Sequence, residues 1–116
     1  MPPSKLKITT SSLQRLVKEE ASYHQELAQQ EARIKHLEEN PGSDENAEYQ
    51  LRQERQAVYE TKKVLPTVRA KIADAIKELE ALLETNKAEG GEAPTEEVTK
   101  AKEAIAEGRK AMREIS

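Results

Sequence analysis

The chain has 116 residues, a length suited to one domain rather than two. Ala, Glu, Lys, Leu and Arg supply more than half of it, 35 % of residues are charged, and Phe, Trp and Cys are absent. That composition excludes a wide aromatic core, a disulfide framework and a thiolate zinc site, and favours long helices joined along narrow aliphatic seams.

The net charge of −3 is spread evenly: residues 1–40 carry six basic and six acidic side chains, 41–86 seven and nine, and 87–116 six and seven. No segment has the basic excess of a nucleic-acid binder or the basic face of a membrane-surface helix, so neither partner is expected. The opening stretch MPPSKLKITT lacks the apolar region of a secretory signal, and no apolar run is long enough to span a bilayer. A cytoplasmic protein is the expectation.

Apolar residues spaced alternately by three and four mark a first helix over about 5–39: Leu13, Leu16, Glu20, Tyr23, Leu27, Gln30, Ile34, Leu37. Glu20 and Gln30 interrupt the seam and are read as polar positions that fix register. Ser11 with Gln14 fits a capping box, but Leu6 lies one heptad before Leu13, so the start falls between Ser4 and Ser12. Pro41 and Gly42 end the helix. Ser43 is then placed to cap the next, with Asp44 and Glu45 in its first turn, where carboxylates suit the helix dipole. So short a connection makes the two helices antiparallel neighbours.

The second series is Ala47, Leu51, Glu54, Val58, Thr61, Leu65, Val68, Ile72, Ala75, Leu79, Leu82. Pro66 falls inside it, yet Leu51, Val58, Leu65, Ile72 and Leu79 hold a seven-residue phase across the proline, and no Gly, Asn or Asp stands beside it. One helix over about 44–86, kinked at Pro66 by the bond missing to the Lys62 carbonyl, accounts for this; a break there would give four helices instead. Next, KAEGGEAP reads as a flexible linker over 87–94. Thr95 is the expected cap of a third helix, about 95–115, with the thin seam Val98, Ala101, Ile105, Gly108, Met112, Ile115. The expected architecture is all-α: a single domain over residues 1–116, an elongated antiparallel three-helix bundle of coiled-coil type.

Catalytic patterns are missing. His24 and His36 have Ala21 and Arg33 three residues before them, so the Glu-x-x-His element of bundle metal sites is not formed. Gly90 and Gly91 lack the Lys-Ser or Lys-Thr of a phosphate loop, and the glutamates alternate with Lys and Arg as a solvated face does. No enzyme activity, cofactor or metal is expected. What remains is surface. Tyr23 serves as a binding anchor or as seam packing, and Arg15, Lys18 and Glu19 beside it as contacts or as solubilising charge.

Specific residues add to this. The run RLVKEEASYHQELAQQEARI, residues 15–34, resembles the first helix of the tubulin-binding cofactor A family, with Arg15, Leu16, Lys18, Glu19, Tyr23, Gln29, Gln30 and Glu31 in the family's order. KLKITT upstream is similar too, and Val64, Leu65 and Pro66 look like the hydrophobic pair and proline midway along that family's central helix. The linkers NPGSDEN and EGGEAP depart from it. The resemblance implies a non-catalytic chaperone that takes β-tubulin released from the cytosolic chaperonin and holds it for assembly with α-tubulin. Other tubulin-folding cofactors would be further partners, and the setting would be the cytoplasm and the microtubule cytoskeleton. It also singles out Arg15, Lys18, Glu19, Tyr23 and Glu31 as partner-binding positions, and gives the Pro66 kink the task of shaping a broad binding face. The competing reading is a structural coiled-coil adaptor or oligomerisation module. Monomer and homodimer are both open.

Overall fold

The computed structural model describes residues 3–42 and 45–113. Three helices account for most of them: α1 Lys5–Glu39, α2 Ala47–Ala88 and α3 Thr95–Arg113. No strand occurs among the described residues.

The helix ends follow from local chemistry. Ser4 caps α1: its hydroxyl accepts from the Lys7 amide at 3.1 Å and its carbonyl from the Ile8 amide at 3.0 Å. Ser11, the alternative cap, is inside the helix. At the other end the Asn40 side-chain amide donates to the His36 carbonyl at 2.8 Å, and Gly42 turns the chain at φ 81°.

The expected cap Ser43 and first-turn Asp44 lie outside the described residues. Glu45 precedes α2 rather than joining its first turn. Asn46 stands at the boundary, its carbonyl accepting from the Gln50 amide at 2.9 Å, and the first-turn acid is Glu48. α2 continues through Pro66 without interruption.

Between α2 and α3, the linker expected to be flexible over 87–94 is shorter and built. Gly91 N donates to the Asn86 carbonyl at 2.8 Å and Gly90 N to that of Lys87 at 3.3 Å, a Schellman cap, with φ 103° at Gly90, where only glycine is unstrained. The Asn86 side chain also accepts from the Ala93 amide at 3.0 Å. Thr95, expected as the cap, is the first helical residue. The Pro94 carbonyl accepts from the Val98 amide at 3.1 Å and so takes the cap position. In the first turn Glu96 pairs with Lys100 at 3.1 Å, and that hydrogen bond and charge hold its carboxyl below the ordinary value. Ile115, the end of the third seam, lies outside the described residues.

The residues pack as two units. The first takes the described residues up to Glu20 and from Val68 onward, so the start of α1, the end of α2 and all of α3. Leu13, Ile72 and Leu79 are fully buried there, with Leu6, Val68, Ile76, Ala101, Ala104 and Ile105 around them. α3 approaches closely because its seam is small. A Cβ on Gly108 would stand 3.0 Å from Ile76 Cδ1 and 3.4 Å from Leu13 Cδ1. Gly108→Val is therefore expected to cost about 1–3 kcal/mol by overpacking. In Gly108→Ala the tight contact offsets the roughly 1 kcal/mol of helix propensity gained, leaving stability close to unchanged. Urea unfolding of the two variants checks both.

A buried ion pair also sits in this unit. Glu20 Oε2 is 3.5 Å from Arg69 Nη1, and Arg69 Nη2 donates to the Met112 carbonyl at 2.9 Å, so one guanidinium joins α1, α2 and α3. Arg109 pairs with Glu80 on the surface.

The second unit is Ala21–Thr67, a hairpin of the later part of α1 and the earlier part of α2. Its seam is mostly half-buried, at Leu27, Ile34, Leu37, Leu51 and Val58. Gln30 and Thr61 are its buried polar positions: Thr61 Oγ1 lies 3.1 Å from Gln30 Oε1 and 3.0 Å from the Ala57 carbonyl. Arg33 with Glu54 at 3.4 Å and Arg55 with Glu38 at 3.1 Å flank the seam and show the antiparallel register.

Candidate partner-binding surface

The five positions singled out in the sequence divide between the units. Arg15, Lys18 and Glu19 are exposed on α1 in the first unit, three and four residues apart and so together on one turn of one face. None of them takes part in an ion pair among the described residues, which leaves their charged groups to solvent.

Tyr23 and Glu31 stand in the second unit. Tyr23 is half-buried at its seam position and serves packing at least in part, while Glu31 is exposed. Eight residues separate them, about 80° around the helix, so they do not form one patch. The structure thus assembles the first three residues and not the last two.

The polar interruptions of the first seam find partners. Glu20 meets Arg69 and Gln30 meets Thr61, so they are internal to the fold and not contact residues. A shallow groove of about 460 Å³ runs beside the α1–α2 seam in the second unit, lined by Ala32, Arg33, His36, Leu37, Gln53 and Glu54 among others. Among the described residues, no group of three or more His, Asp or Glu side chains is placed to hold a metal ion, and no helix is long and apolar enough to cross a membrane.

Tyr49, Tyr59 and Val64 were not among the partner-binding positions read from the sequence, where Val64 entered only as part of the pair before Pro66, yet all three are exposed on α2 in the second unit. A signal for them existed. All three miss the α2 seam series, so a period-3.6 plot places them on the helix's other side.

The chain as a whole has counterparts among known proteins. The family model for tubulin binding cofactor A matches residues 1–105, from the start of the chain into α3. The chain belongs to the tubulin binding cofactor A family. It is 37 % identical to tubulin-specific chaperone A of Saccharomyces cerevisiae over 105 residues, 90 % of this chain and 91 % of the relative. Among solved structures it is similar to Rbl2p, a β-tubulin binding post-chaperonin cofactor, at 34 % identity and a TM-score of 0.74, covering 92 % of this chain and 96 % of that one. The likeness therefore covers the fold as well as the sequence.

Proposed function

We propose that this protein is a non-catalytic tubulin-folding chaperone. It binds β-tubulin after release from the cytosolic chaperonin and holds it for assembly with α-tubulin, working in the cytoplasm with other tubulin-folding cofactors. The observation that carries this reading is its similarity over nearly its whole length to a β-tubulin binding post-chaperonin cofactor. Paired helices studded with charge, with grooves that are open at the surface, suit the holding of a protein partner through many moderate contacts. A native gel with β-tubulin freshly released from chaperonin, and α-tubulin as control, tests it. A discrete complex with β-tubulin alone is expected; an absence of complex with either favours the adaptor reading.

The chain acts as one domain on this reading, because α1 and α2 each run unbroken from one unit into the other. Pro66 bends α2 locally and sets the curvature of its binding face. Pro66→Ala is expected to straighten the helix and to stabilise the protein by up to about 3 kcal/mol, through the restored bond to the Lys62 carbonyl. Small-angle scattering and thermal unfolding read the two effects. A straightened helix with unchanged β-tubulin affinity would remove the proposed role.

A further inference from the structure

Few large apolar or aromatic side chains are left in solvent. Among the described residues they are Ile8, Tyr49, Tyr59 and Val64, and the last three share the α2 part of the unit Ala21–Thr67, with 54 %, 60 % and 38 % of their surface exposed. At about 100° per residue, Tyr49, Arg52, Tyr59, Lys63 and Val64 fall within an arc of roughly 140°. Leu51, Val58, Thr61 and Leu65, which pack inward, occupy the opposite side.

The fold makes no use of these exposed groups, but it does order them. Gln53 Nε2 donates to the Tyr49 hydroxyl at 2.8 Å, and Lys63 Nζ lies 6.0 Å from the centre of the Tyr59 ring. Rings held this way lose less freedom when a partner covers them, and tyrosine and arginine are the residue types that anchor protein interfaces.

Charge narrows the partner. The arginines flanking the seam of this unit, Arg33 and Arg55, are matched by Glu54 and Glu38. On the outer face Arg52 and Lys63 make no ion pair among the described residues, while the acid there, Glu60, accepts from Gln56 at 3.3 Å. Two cations without an ion pair, beside two tyrosines and a valine, call for acidic side chains beside apolar ones.

We propose that the outer face of α2 from Tyr49 to Val64 is the docking surface for β-tubulin and takes an acidic, apolar-bearing segment of it. This rests on the β-tubulin reading above and locates the contact on α2 rather than at the five α1 positions. The experiment titrates β-tubulin with the wild-type protein, with Tyr49→Ala/Tyr59→Ala and with Lys63→Glu, and records helicity and sedimentation of each protein alone.

At unchanged helicity, the double variant is expected to bind at least tenfold more weakly. Lys63→Glu is expected to bind several-fold more weakly, with a gap that narrows as salt rises. Variants that bind within twofold of a binding wild type overturn the face and leave the β-tubulin reading intact. A wild type that forms no complex overturns both. A wild-type dimer that becomes a monomer in the double variant assigns the face to a second copy of this chain and overturns the proposal.

Discussion

Replacing Ile72 by alanine lowers the unfolding free energy by about 2–5 kcal/mol, the range for deleting a fully buried branched side chain whose surroundings relax only in part. Ile72 has no exposed surface and sits with Leu13 and Leu79 at the centre of the first unit. A protein of this size is stable by roughly 5–15 kcal/mol, so the loss is a large share of the whole. The companion change Val64→Ala, on the same helix but exposed, stays within about 0.5 kcal/mol. Urea unfolding of the two variants separates them. If the chain is one domain, amides of Ala21–Thr67 lose exchange protection along with those around Ile72. Continued protection there would show that the units unfold apart.

The second large effect falls on Arg69. Arg69→Met removes the guanidinium beside the Glu20 carboxylate, whose side chain is 3 % exposed, and deprives the Met112 carbonyl of its donor, at an expected cost of about 3–5 kcal/mol. The pair is not worth that much as a whole. The double variant Glu20→Leu/Arg69→Met is expected to recover most of the loss, because an apolar pair of similar volume carries no desolvation penalty. A double-mutant cycle measures the difference. A double variant as unstable as the single would show that the Glu20 position requires a polar group for reasons beyond Arg69.

The seam residues were the most legible part of the fold. Leu13, Leu65, Val68, Ile72, Leu79, Ala101 and Ile105 lie on the predicted seams and are buried, because a helix that packs along one stripe writes that stripe into its sequence. Where the first unit brings three helices together, α2 must bury a wider face, and a one-stripe reading falls short. Ile76 is buried and its neighbour Ala75, the predicted position, only half-buried. Ala104 was missed in the same way on α3. Glu20 and Gln30 were visible as interruptions, but their partners Arg69 and Thr61 depend on antiparallel register, which no single helix records.

The glycine pair showed the opposite limit. Gly90 and Gly91 read as flexibility, whereas the structure uses them for a cap whose geometry depends on carbonyls three and five residues back. The candidate surface was less legible still. Resemblance in α1 pointed to Arg15, Lys18, Glu19, Tyr23 and Glu31, and the structure places only the first three on one turn. Tyr49, Tyr59 and Val64 could be placed off the α2 seam from the sequence, but their exposure stands out only against a settled core.

The most direct test of the account is sedimentation velocity of β-tubulin, freshly released from chaperonin, mixed with increasing amounts of this protein. A chaperone that holds its partner stoichiometrically gives a single faster-sedimenting complex that saturates at a fixed ratio and is unchanged by adding or removing nucleotide. Separate sedimentation of the two proteins at every ratio, with β-tubulin competent to bind another cofactor, would contradict it.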